Sequence, residues 1–108
     1  MSGTGLARGN LRGLNLYALT LSPASVAPNV TAEQTFTFQG LNLNDWVESQ
    51  FIGTVQAGLS VASTRVSAAN TLAISFSNVT AATITPTASG SYLLLHMVSG
   101  YNPLQTQA

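Results

Sequence analysis

From Glu33 onward the chain is written in short runs of alternating residues, and this period of two is what most restricts its fold. In "EQTFTFQ" Phe36 and Phe38 fall on one face, with Thr35 and Thr37 on the other. "DWVESQF" gives Val47 and Phe51 one face and Trp46 and Glu48 the opposite one. "LSVASTRVS" puts Leu59 and Val61 on the face that Arg65 would share. "SAAN" then closes a hairpin into "TLAISFS", where Leu72, Ile74 and Phe76 share a face. Successive side chains of a strand point to opposite sides, so such runs predict strands laid on a core. Turn residues recur at roughly 8 to 12 residue intervals, the spacing of a sandwich or barrel. No stretch carries a long helical period. The expectation is an all-β fold of roughly six to eight short strands: a single small antiparallel β-sandwich or barrel with an extended N-terminal arm.

The arm is read from "MSGTGLARGNLRG" (1–13), which holds four glycines and two of the three arginines. Such a segment has high chain entropy and little to bury. "LNLYALTL" (14–21) alternates and reads as a first strand or an extended docking segment. "SPASVAPN" is a Pro/Ser linker and the one internal change of character. The expected division is therefore an arm over 1–21, a β-sandwich over 22–100 and a tail over 101–108. "NVTAATITPT" is a long connection whose Pro86 lacks a donor N–H and suits a central strand poorly. Asn29 and Asn78, each opening an "NVT", are expected to shape turns.

The last strand, "SYLLLHMVS", has Leu93, Leu95 and Met97 on one side and Tyr92, Leu94, His96 and Val98 on the other. A strand with one solvated face is polar on that face. This one is apolar on both, so it is either central in the core or covered by a neighbouring chain. The wider stretch from Arg65 to Val98 has one formally charged side chain, and charged residues make up only 6% of the chain while apolar ones make up 45%. An ordinary soluble domain has about 25% charged residues. Disordered chains are charged and poor in apolar residues, so disorder is not the reason. A net charge of zero removes the repulsion that keeps copies apart, and interface centres are depleted in Lys, Glu and Asp. A subunit of an assembly fits this composition, and a homo-oligomer (dimer or trimer) is expected.

The same charges exclude other classes. Three basic and three acidic groups leave no positive footprint for nucleic acid. No run approaches the ~18 apolar residues of a spanning helix, so no membrane partner is expected. The N-terminus lacks the apolar region of a signal peptide, and there is no cysteine, which together suit a protein made in a reducing cytoplasm.

Chemistry is sparse. His96 is the sole imidazole and lies in an apolar strand; a Ser-His-Asp set would have to recruit it with Asp45, and nothing such as G-x-S-x-G marks a nucleophile. A hydrogen-bonded or interfacial histidine is the expected reading. Asp45 and Glu48, three apart on a strand, fall on opposite faces and make no carboxylate pair. No Cys, second His or oxygen-rich loop offers a metal site. "GTGLARG" has Arg8 in place of the final glycine of a dinucleotide loop and no strand before it. The expectation is no enzyme, no cofactor and no metal. Asp45 and Arg65 are the candidate structural salt bridge, if strands 45–51 and 59–67 pair. Trp46, Tyr92 and Tyr101 are the amphipathic aromatics that anchor interfaces, with a core tryptophan the other reading of Trp46. Arg8, Arg12, Tyr17 and His96 complete the candidate interface set.

The order of elements from Pro23 to Val98 resembles a small β module of tailed-bacteriophage structural proteins. The stretches that carry it are "ASVAPNVTAEQTFTFQGLNLNDWV", "VQAGLSVASTRVSAANTLAISFSNVTAATITPT" and "SGSYLLLHMV", and "SAANTLAISFSN" followed by "ITPTA" is the most specific part. The chain departs from the pattern at Asn44, where glycine is usual before Asp45, and in the apolar "LLLHMV". The resemblance implies a capsid decoration (cement) or head-fibre protein of the virion. Its partner would be the major capsid protein, with Arg8 and Arg12 pairing with acidic capsid groups. The competing expectation is a receptor- or glycan-binding module of a tail or head fibre, using Trp46, Tyr92, Tyr101 and the loop "NVTAATITPT".

Overall fold

A computed structural model describes residues 11–99 and is all-β, with no helix among them. The strands are β1 (Leu11–Leu21), β2 (Val30–Thr37), β3 (Trp46–Phe51), β4 (Leu59–Ala68), β5 (Thr71–Asn78) and β6 (Gly90–Ser99). They form two three-stranded sheets, ordered β1-β6-β3 and β2-β5-β4, with every pairing antiparallel. Of the two expected architectures, the sandwich is the one formed.

Alternation builds the core. Leu72, Ile74 and Phe76 of β5 are fully or almost fully buried, as are Leu94 and Tyr92 of β6, Val47 of β3 and Val66 of β4. Each such aliphatic or aromatic side chain stabilises the fold by about 1.5–3 kcal/mol relative to exposure. Leu19, Leu21, Phe36, Phe38, Phe51, Leu59 and Val61 pack around them. The last strand is thus central in its sheet, with Tyr92, Leu94 and His96 turned to the core.

One strand breaks the simple period. The β4–β5 register shifts between Val61 and Ser63. A bulge inserts one residue and reverses which face the following side chains take. Val61, Thr64 and Val66 consequently sit opposite Phe76, Ile74 and Leu72, while Arg65 sits opposite Ala73 on the outer face. The expectation that Arg65 shares a face with Leu59 and Val61 is corrected by this extra residue.

The connections are tied down by backbone bonds. Asn70 has a φ of 59° in the β4–β5 turn, and its side-chain Oδ1 accepts from Gly40 N at 2.8 Å. Asn70 N donates to Leu41 O at 2.8 Å, and Leu41 is fully buried. Asn44 has a φ of 80°, the left-handed conformation in which asparagine is the best tolerated side chain after glycine. This is the position where the resembled pattern carries glycine.

The Pro/Ser linker is also bonded on both sides. Val26 is fully buried and exchanges two backbone bonds with Ile84 of the β5–β6 connection, at 2.8 and 3.1 Å. The Gln34 amide donates to Ala24 O at 2.9 Å and accepts from Ala24 N at 2.7 Å. Of the expected arm, Leu11–Leu21 forms an edge strand paired along its length with β6; residues 1–10 lie outside the described residues. The expected tail at 101–108 lies outside them as well.

Candidate functional site

The two outer faces of the sandwich differ in chemistry. On the β2-β5-β4 sheet the outward rows carry Thr31, Glu33, Thr35 and Thr37 beside Ser77, Ser75, Ala73 and Thr71. The Arg65 guanidinium grips Glu33 with two bonds, Nε to Oε2 at 2.7 Å and Nη2 to Oε1 at 2.9 Å. The pair bridges the two edge strands across β5, which accounts for Ala73 being fully buried on an outward row. A hydroxyl-rich face with one bidentate ion pair is an ordinary solvated surface.

The pair has a titration consequence. Hydrogen bonding to Arg65 holds the Glu33 carboxyl below the usual glutamate value of 4.5. A depressed folded value means that the stabilising contribution is complete above that usual value and is lost as pH falls through the lower folded one. NMR titration of the Glu33 side chain should show its midpoint below the usual value, and Arg65→Gln should return it there. An unmoved midpoint in Arg65→Gln would show that the guanidinium is not the cause.

The outer face of β1-β6-β3 is apolar at one end. Register places Leu14, Met97 and Trp46 in one row, Leu16, Leu95 and Glu48 in the next, and Ala18, Leu93 and Gln50 in a third. Thr20 and Ser91 follow, so the face grades from apolar to polar. Leu14 is 60% exposed, Leu16 65% and Trp46 49%, while Leu93, Leu95 and Met97 of the central strand are half-buried between them. A contiguous patch of this kind, rimmed by polar residues, marks interaction surfaces, whereas singly scattered exposed apolar residues do not. The sequence singled out only Trp46 of this group. Leu14, Leu16, Leu95 and Met97 were legible as a shared face only once β1 and β3 were known to flank β6.

His96 and Asp45 do meet. His96 Nε2 lies 2.7 Å from Asp45 Oδ2, and both side chains are more than nine-tenths buried. Asp45 Oδ2 also accepts from Asn42 N at 3.0 Å, closing the turn into β3. His96 Nδ1 is buried with no hydrogen-bond partner. With the carboxylate accepting at Nε2, that nitrogen carries a proton. A triad needs the second ring nitrogen on a nucleophile, and none is there among the described residues. The arrangement is a structural clamp between β6 and the β3 turn.

The candidate salt bridge of Asp45 with Arg65 is therefore replaced by two other pairs. Asp45 bonds His96 inside the sandwich and Arg65 bonds Glu33 outside it, because β3 and β4 belong to different sheets and the bulge turns Arg65 outward. Tyr92 and His96, candidates for an interface, are instead core side chains, 2% and 4% exposed. Burial holds the Tyr92 phenol above its ordinary value. Tyr17 packs edge-on against Phe38 at 5.0 Å and keeps part of its surface exposed. Trp46 is on the outer face, not in the core. Arg12 falls within β1, and Arg8 and Tyr101 lie outside the described residues.

The residues proposed for a glycan site are not gathered together. Trp46 pairs with Met97 near the end of β6, whereas the "NVTAATITPT" loop leads into its beginning at Gly90. Among the described residues no cluster of three or more His, Asp or Glu side chains is placed to hold a metal ion. No helix among them is long and apolar enough to cross a membrane. No family model matches the chain, and no curated protein or solved structure matches it either.

Proposed function

We propose that the chain is a non-enzymatic bacteriophage virion protein, a capsid decoration (cement) subunit that binds the assembled major capsid shell through protein–protein contacts. The observation that supports this reading is the apolar outer face of β1-β6-β3, on a chain with too few charges to solvate it. A subunit that binds the completed shell better than its free parts stabilises that shell by mass action, and needs contact surface rather than catalysis. Covering a largely exposed leucine contributes about 1–2 kcal/mol, so Leu14 and Leu16 supply a useful share of a docking energy. Self-association into a dimer or trimer uses the same absence of repulsion. The site of action is the capsid surface, after synthesis in the bacterial cytoplasm. The glycan-binding reading is less well supported, since Tyr92 is buried and Trp46 stands at the far end of β6 from the threonine-rich loop.

Mass spectrometry of purified virions of the encoding phage tests this. The chain should be present in many copies, in a simple ratio to the major capsid protein. Leu16→Glu, on a side chain already exposed in the monomer, should fold normally and be lost from the shell. A virion without the chain, or one that retains Leu16→Glu at full occupancy, would overturn the reading.

A further inference from the structure

The edges of the two sheets are not alike. β3 and β4 meet along one side of the sandwich, where Ser49 Oγ and Thr64 Oγ1 share a hydrogen bond from one sheet to the other. β2 has the linker tied against it, through the two bonds between the Gln34 amide and the Ala24 backbone. β1 has β6 on one side and no strand of either sheet on the other. It is also the longest of the described strands, and its pairing is irregular only between Leu11 and Gly13. A long open edge is a template for a further strand, and proteins ordinarily blunt it with lysine, proline or a bulge. β1 has no lysine and no proline, and Arg12, near one end, is its one charged residue.

Exposure along β1 identifies the kind of neighbour that fits this edge. Leu14, Leu16 and Ala18 belong to the outer face, whereas Asn15 and Tyr17 lie on the inner side, opposite the buried His96 and Leu94. All of them are nevertheless exposed, Tyr17 at 38%. A protein resting on the outer face would cover the first three and leave Asn15 and Tyr17 open. A strand laid alongside covers both sets at once, and takes up the N–H and C=O groups that β6 does not use.

A second copy of β1 is the strand that matches. Directly opposed residues of an antiparallel pair share a face, so the two outer faces join when even positions meet even ones. Full overlap of Leu11–Leu21 with itself meets that condition, with the strands centred on Leu16. Leu16 then opposes Leu16 of the second copy, Leu14 opposes Ala18, and on the inner side Asn15 opposes Tyr17. Arg12 falls opposite Thr20, so the two arginines stand at opposite ends of the pair. The zero net charge leaves no repulsion between the copies as wholes. The exposed leucines of the two apolar patches become neighbours on one surface.

We propose that two copies of this chain associate about a two-fold axis at Leu16, β1 against β1, joining their β1-β6-β3 sheets into one continuous sheet. The interface is isologous, the same strand serving on both sides, so it closes as a dimer. This gives a surface and a register to the self-association in the decoration reading, and it rests on that part of the reading and not on the capsid.

The test uses the purified full chain with no capsid protein present. Sedimentation over a concentration series should give a mass twice that of the chain, and hydrogen exchange should slow at alternate β1 amides as the dimer forms. The sequence has no cysteine, so single substitutions report the register. Directly opposed positions lie within disulfide reach, whereas the two copies of Ala18 stand roughly 13 Å apart along the strands. Under mild oxidation Leu16→Cys should give a linked dimer and Ala18→Cys should remain unlinked. Both substitutions replace exposed side chains, and exchange on the unaltered chain needs no variant. A monomer at every concentration, an oligomer with unchanged β1 exchange, or a failure of Leu16→Cys to link faster than Ala18→Cys would overturn the pairing. The capsid role is judged separately. A monomeric chain found in virions would sink the pairing alone, and a β1-paired dimer absent from virions would sink the decoration role alone.

Discussion

Asn78→Ala is expected to cost about 3 kcal/mol or more of folding stability. Asn78 closes β5 and is 1% exposed. Its Nδ2 donates to Val26 O at 3.0 Å and Ala82 O at 2.8 Å, while Oδ1 accepts from Thr80 N at 2.9 Å and Thr80 Oγ1 at 2.7 Å. One amide thus joins the linker before β2 to the connection before β6. After truncation Val26 O keeps its bond from Ile84 N and Ala82 O keeps that from Thr80 Oγ1, so neither carbonyl is stranded. Thr80 N–H loses its acceptor, four bonds go, and a small void remains. At about 1 kcal/mol per net bond plus one orphaned donor, the sum is a large part of the ~5–15 kcal/mol that holds a domain together. Urea and thermal melts measure it, and a fall in Tm of more than about 12 °C is expected for a domain of this size. A loss below about 1 kcal/mol would mean that water replaces the amide and that the two connections are held by their own backbone bonds.

The second large effect is at the buried clamp. Asp45→Ala should destabilise by about 2–4 kcal/mol, because it leaves the whole His96 ring without a partner and takes the acceptor from Asn42 N. His96→Leu alone should cost a similar amount, since it leaves a carboxylate that is 8% exposed with only its bond from Asn42 N. Removing both partners is the informative experiment. The double variant should be distinctly more stable than the sum of the single losses predicts, with a coupling of about 1–3 kcal/mol. Additive losses would show that the contact contributes nothing beyond the packing of each side chain.

Those two sites also show how far a sequence of this kind can be read. The period of two located four of the inner faces through Phe36 and Phe38, Val47 and Phe51, Leu59 and Val61, and Leu72 to Phe76, because a strand's side chain direction is local; the last strand, apolar on both faces, left its inner side open. Asn29 and Asn70 were legible as turn residues for the same reason, and both have positive φ. What is not local was lost. The bulge at Val61–Ser63 has no marker in "VASTR", so Arg65 was put on the wrong face and paired with the wrong carboxylate. The partner of β6 was unknown, so the apolar rows of Leu14, Leu16, Leu95 and Met97 were three separate patterns rather than one surface. Asn78 read as a turn former, but that it reaches Val26, 52 positions away, depends on where the linker comes to rest.

The strand order bears on how the molecule comes into being during synthesis. β4 and β5 are neighbours joined by a tight turn, and β2 adds to them after a modest loop closure. β1 and β3, in contrast, have no common sheet to join until β6 separates and pairs with both. Contacts between such distant parts of a chain form slowly, because the closure entropy comes before the reward. On a ribosome the sheet β2-β5-β4 can therefore assemble while the last strand is still inside the exit tunnel. The apolar surface of the other sheet exists only once β6 has emerged and paired with β1 and β3, so a nascent chain still lacking that strand cannot engage a partner through it.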